Sequence, residues 1–299
     1  GNLQTVTAQS IADLGAGGGA ALDLYAENPS SPTAPVATGT NAVAIGNGST
    51  ASGLYSMALG ANASSTSSFS TAIGLNSSGG GSVAAGTSAM ALGGSYASGS
   101  NSFAAAIANF NSTYGATGAN SVAIGQQAKA SSAGGMAIGP RSIVTGTGSV
   151  AIATSYANYG SVSSGSASIT IGDGNAASQA FSAALGYLAN SAVKGKFVWA
   201  NGSFGGGNAE GSSQTGTIVL RSDTTDATPE ALTSDNGAAS TNNQIILPNN
   251  SAYSFSGTII ARQDAASGSK YASWEIKGAL LRDANAASTV LGSGIKNKL

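Results

Sequence analysis

The chain has 299 residues and a net charge of −1; only 8% of it is charged, 44 residues are glycine, and histidine and cysteine are absent. Those absences exclude a disulfide framework, thiolate metal sites and His-based acid–base or triad chemistry. Without a basic stripe nucleic acid is not an expected partner, and no apolar run reaches the roughly 20 residues of a membrane span.

Residues 1–39 open with Leu3-Gln4-Thr5-Val6-Thr7, which alternates like a short strand, and pass through the Gly-rich Gly15–Gly19. Pro29, Pro32 and Pro35 then mark an extended connector, since each fixes φ and lacks a donor. Nothing near Gly1 reads as a signal peptide, so a processed or excised piece of a longer protein is expected.

Residues 40–190 are organised by a repeat. Val43-Ala44-Ile45-Gly46, Met57-Ala58-Leu59-Gly60 and Thr71-Ala72-Ile73-Gly74 begin a series. It continues through Met90–Gly93, Ala105–Ala108, Val122–Gly125, Met136–Gly139, Val150–Ala153, Ile169–Gly172 and Ala183–Gly186. The last positions are spaced 14, 14, 19, 15, 17, 14, 14, 19 and 14 apart, so 14 is the unit and longer intervals are insertions. Residues two apart on a strand share a face. Ile45, Leu59, Ile73, Leu92, Ile107, Ile124, Ile138, Ile152, Ile171 and Leu185 therefore recur on one face as structural repeat residues. Ala fills the middle place in nine of ten copies, facing a second, tighter layer. Stacked coils follow. One roll has few apolar groups, so several rolls packed around an axis are expected to bury the Ala layer. Only Lys129, Arg141 and Asp173 are ionised between Thr40 and Ser191, in keeping with such packing.

The Asn-Ser-Val-Ala-Ile-Gly phrase at Asn120–Gly125, with its variant at Asn41–Gly46, resembles the head repeats of YadA-type trimeric autotransporter adhesins. That resemblance implies an all-β fold, a left-handed parallel β-roll with three rolls per homotrimer. Ala108 and Ala153 depart from the final Gly of the pattern.

Residues 191–214 read as a cap, carried by Lys196-Phe197-Val198-Trp199, and a Gly-rich hinge at Gly205–Gly211. Residues 215–299 turn to antiparallel patterning. Tyr253, Phe255, Ile259 and Ala261 share one face of a strand, and Trp274, Ile276 and Leu280 one face of another, opposite Glu275 and Lys277. Further strands are expected at Thr217–Arg221, Gln244–Leu247 and Ser288–Ile295, giving an antiparallel β-sandwich or jelly-roll module. Thr225–Pro229, Leu247–Tyr253 and Gly257–Arg262 resemble C-terminal modules of phage tail fibre proteins, and the opening Leu3–Thr7 resembles segments that precede fibre modules. The resemblance implies a module continuing past Leu299.

Chemistry is sparse. Asp173 is the roll's single carboxylate, so the paired acids of glycoside hydrolysis are absent there. Asp223, Asp226, Glu230 and Asp235 read as turn residues beside Pro229 and Gly237. No enzyme, metal or cofactor is expected. Tyr55, Phe69, Phe103 and Phe181 each stand five residues before a last signature position, a regularity expected of a structural ladder. Phe110, Tyr114, Tyr156 and Tyr159 fall inside the longer coils, where insertions emerge as loops, and are the candidate surface-recognition residues. The expectation is a homotrimeric phage tail fibre segment, a virion component bound to other tail proteins, attaching to a bacterial surface receptor such as a polysaccharide. A bacterial trimeric adhesin head on the cell surface is the alternative, and a fibre-borne depolymerase a third.

Overall fold

Fourteen residues suffice for two short strands and two tight corners, and each repeat is one such coil. The computed structural model describes residues 33–75, 79–105, 113–154, 160–204, 210–264 and 270–298. The signature segments form one sheet, eleven parallel strands running from Val43–Ile45 to Phe197–Asn201. Two-residue companion strands, from Val36–Ala37 to Asn190–Ser191, form a second parallel sheet, also of eleven. Every pairing is in register: Val43, Ala44 and Ile45 lie beside Met57, Ala58 and Leu59, and those beside Thr71, Ala72 and Ile73. Ten steps at the usual strand spacing make a rod about 48 Å long.

The two sheets face each other so closely that only small side chains fit between them. Ala58, Ala72, Ala91, Ala123 and Ala137 of the signature are fully buried there, opposite Ala51, Ala84, Ala97 and Ala130 of the companion strands. The alanine layer is thus the roll's own core, not a surface awaiting other rolls. Larger buried groups collect in the last coils, where Thr170, Asn175, Leu188 and Val198 replace alanine and serine. The Asn175 amide is satisfied there, donating to the Ile171 and Gly186 carbonyls at 2.8 and 2.9 Å and accepting from the Ala189 N–H.

Buried serines close the corner before most of the signature strands. The hydroxyls of Ser70, Ser121, Ser149, Ser168 and Ser182 each donate to the carbonyl three residues earlier at 2.5–2.6 Å. A hydroxymethyl group fills an alanine-sized space, and its hydroxyl finds a partner in the same carbonyl that takes the serine's own N–H. The turn itself needs close backbone approach: a Cβ on Gly53 would lie 2.0 Å from the Ser67 carbonyl oxygen of the next coil. On leaving the strand, Gly125 takes φ +118, where any side chain is strained.

Three features depart from the sequence expectation. The fifth signature strand is Phe103–Ala105, paired with Met90–Leu92 and Val122–Ile124, two residues ahead of the expected Ala105–Ala108 copy. Phe103 therefore occupies the place of Val122, and Ile107 lies outside the described residues. The roll also extends beyond 40–190, since Val36–Ala37 starts the companion sheet and Phe197–Asn201 is a full signature strand. Finally, the expected cap phrase is itself a strand of the sheet, and Gln214–Thr217, paired antiparallel with Phe197–Ala200, ends it.

The chain divides into two compact units at Asn243/Gln244, later than the expected boundary at 215. Within the first, the segment after the cap strand is held by the Lys194–Asp235 ion pair at 3.1 Å and by the Lys194 N–H on the Asn242 carbonyl. The second unit is a three-stranded antiparallel sheet of Ser251–Arg262, Tyr271–Arg282 and Val290–Lys298. One 3-10 turn, Ala286–Ser288, precedes the last strand and is closed by an Asn285 capping box. Tyr253 lies opposite Leu280, and Ile259 opposite Trp274, so the expected apolar face forms across strands. A single sheet stands among the described residues where a two-layer sandwich was expected. Gln244–Leu247 forms no strand, and Ile218–Arg221 contributes one isolated bridge, Arg221 to Thr233.

Candidate attachment surface

With alanine inside, the branched and long signature residues must point out. Among the expected repeat residues, Ile73 and Ile171 are exposed, and Ile45, Leu59, Leu92, Ile124, Ile138, Ile152 and Leu185 are half-buried. Of their partners two positions earlier on the same face, Val43, Met57, Met90, Met136 and Ile169 are exposed as well. Met57 is 37%, Ile171 42% and Trp199 57% exposed, so an apolar stripe runs the whole length of the rod.

The coil has two corners, and both are ladders. The corner entering each signature strand holds a residue with positive φ: Asn41, Tyr55, Phe69, Ser88, Asn101 and Asn120 in successive coils. The N–H of each of the last five donates to a corner carbonyl of the coil before it, from Tyr55 on Thr40 to Asn120 on Ser100. The exit corner repeats this with Asn62, Gln127, Arg141 and Leu188 at positive φ. Like positions stack directly and bond to one another. The Arg141 Nε donates to Gln127 Oε1 at 3.1 Å, and Asn101 Nδ2 to Asn120 Oδ1 at 3.2 Å.

The residues singled out from sequence divide accordingly. Tyr55 and Phe69 stack with ring centroids 5.6 Å apart and planes within 13°. Phe181 holds the same corner place alone, and Phe103 leaves the series because it sits on a strand. Tyr114 is half-buried and packs on the alanine core. Phe110, Tyr156 and Tyr159 lie outside the described residues. The signal that sequence reasoning missed is the positive-φ corner itself, where Asn is usual and an aromatic ring is not.

The carboxylates after the roll serve local turns. Asp226 accepts the Thr228 N–H at 2.7 Å and Asp235 the Gly237 N–H at 3.1 Å, each two residues on. Asp223 accepts from Asn236, and Glu230 from the Ser222 hydroxyl. The Asn243 amide, then Lys194 and the Gly237 N–H, hold the Asp235 carboxyl well below its ordinary range, at about 2. Beside the cap strand, burial lowers Lys196. Among the described residues no group of three or more metal-ligating side chains occurs, and no helix is long and apolar enough to cross a membrane.

This in-register roll of 14-residue coils, alanine inside and branched residues outside, can be compared with known repeats. It contains YadA head domain repeats. The family model matches residues 37–63, 51–77, 116–142 and 130–152, and within each pair the second match starts one 14-residue coil after the first. The matched YadA-type coils follow one another at the 14-residue spacing, and they cover less than half of the chain. No curated protein matches the chain.

Proposed function

We propose that this chain is a non-enzymatic attachment segment, displayed on a surface and assembled as a homotrimer through the outer face of its signature sheet. The observation that carries the proposal is the apolar stripe running from Val43 to Trp199. A rod that buries mostly alanine and serine internally leaves its large side chains half bare, and a shared axis between copies removes them from water. The likeness of the coils to YadA head repeats supports three copies rather than two. A trimer presents each corner and each insertion three times, which multiplies weak single contacts through effective concentration. In support of a non-catalytic role, Asp226 and Asp235 are engaged by turns.

We assign the carrier to a phage tail fibre that recognises a bacterial surface, because the phrases around Leu247–Tyr253 and Gly257–Arg262 resemble fibre modules. A bacterial adhesin head is the second reading, favoured by the matched head repeats. Co-sedimentation of the purified chain with bacterial cells, beside its retention on immobilised host matrix proteins, separates them. Binding to bacteria alone is the expected result. Retention on matrix proteins alone supports the adhesin reading, and binding to neither overturns attachment.

A further inference from the structure

The entry corner holds strain that the fold itself does not demand. Tyr55, Phe69 and Phe181 adopt φ of 55, 59 and 59°, a region that bulky L-residues avoid. They are also 54, 55 and 66% exposed. Rings are not required there, since Asn41, Ser88, Asn101, Asn120 and Gly134 fill the same place in other coils. The mutual stack of Tyr55 and Phe69 offsets part of the cost for that pair. Nothing comparable helps Phe181, whose neighbours along the corner are Ala167 and Gly195. Strained, exposed residues that packing does not explain point to function.

What the rings face indicates the ligand. Beyond Phe69 the next coil presents Ser88, and then come the exposed amides of Asn101 and Asn120. The one bond between those amides uses a fraction of their donors and acceptors. A small residue beside a ring leaves a slot for a flat, apolar face, and the amides beyond it suit hydroxyl groups. From Phe69 to Asn120 is three coil steps, about 14 Å. No ionised side chain stands at these corner places. The corner exposes two residues per coil, such as Thr87 with Ser88 and Ser100 with Asn101, a track narrow beside the roughly 800 Å² a protein partner covers. A neutral, linear polymer of hydroxylated rings fits all of this.

We infer that the entry corner is a saccharide-binding ridge, on which a sugar lies over Ser88, stacks its C–H face on Phe69 and hydrogen-bonds to Asn101 and Asn120. Phe181, with small neighbours on both sides, is a second, isolated stacking point. The inference rests on the attachment reading and names its receptor chemistry.

The test pairs the parent chain with the double variant Tyr55→Asn and Phe69→Asn, which installs the residue that other coils carry at this corner. Both are applied to a printed panel of purified bacterial O-antigen and capsular polysaccharides, and to whole bacteria. Native mass and melting temperature are recorded alongside. The expected result is that the parent binds at least one polysaccharide and the variant binds it about tenfold or more weakly, with mass unchanged and melting temperature equal or higher. Equal binding by the variant overturns the ridge. A parent that binds bacteria but no polysaccharide overturns it too and leaves attachment standing. A variant that loses its oligomeric mass shows that the rings are packing elements, which also overturns it. A parent that binds neither bacteria nor polysaccharide takes down both attachment and the ridge.

Discussion

The roll and the C-terminal sheet are both built from strands, yet they solve the burial problem in opposite ways. In the roll, each coil brings its own second layer, and the consequence is an interior restricted to alanine, serine and a few larger groups. In the C-terminal unit, strands of 12, 12 and 9 residues pair antiparallel and carry large side chains on one face, from Tyr253 to Trp274. The roll gains rigidity by repeating one contact in register; the sheet depends on individual pairs such as Tyr253 with Leu280. The difference teaches where each will fail. A change of one methylene matters most in the roll, because neighbouring backbone, not a flexible side chain, bounds the space.

The largest effect is therefore expected from Ala91→Leu in the roll. Ala91 is fully buried between the sheets, so the added bulk costs about 3 kcal/mol or more, read as a lower urea midpoint or as loss of the folded roll. A midpoint within error of the parent would break the account of a tight alanine core. Next, glycine replacement sharpens the contrast between the regions. Gly53→Ala drives a Cβ to 2.0 Å from the Ser67 oxygen, whereas Gly257→Ala meets nothing nearer than Ile276 at 3.7 Å. The first is expected to destabilise by about 2 kcal/mol. The second is expected to be neutral or to stabilise by about 0.5 kcal/mol, because alanine narrows the unfolded ensemble. Thermal melts of the two variants check both signs.

How much of this was legible in sequence follows from the same contrast. The 14-residue spacing gives the coil and its strands, because in-register stacking forces each position to recur. The facing could not be read from spacing. Alternation shows that Ala44 and Ile45 point opposite ways, but not how narrow the gap between the sheets is, and the gap decides which one is inside. The misplaced fifth copy had a visible clue. Asn101-Ser102 stands before Phe103 just as Asn120-Ser121 stands before Val122, and the positive-φ Asn with its buried Ser fixes the register better than Ala105–Ala108 does. The C-terminal face was readable because Tyr253, Phe255 and Ile259 alternate over a long strand. The expected strand at Gln244–Leu247 failed because a short apolar run carries no pairing information of its own.

A smaller effect concerns pH. Asp235, at about 2, lies below its ordinary carboxylate value, so its hydrogen bonds to Asn243 and its pair with Lys194 contribute stability above about pH 4. That contribution is lost as pH falls through 4 toward 2. Limited pepsin digestion across this window is expected to cut the 218–243 segment before the roll. In an Asp235→Asn variant, early cutting is expected already at the upper end of the window, and cutting at the parent's pH would argue against the tie.

The central claim is that the outer apolar stripe of the signature sheet is shared between copies of the chain. The most direct test is native mass by light scattering across a dilution series, for the parent and for a Met136→Lys and Ile171→Lys variant, whose changes lie on that exposed face. A parent trimer that persists on dilution, with a folded monomer for the variant, is the predicted result. A well-folded parent monomer at all concentrations would contradict it.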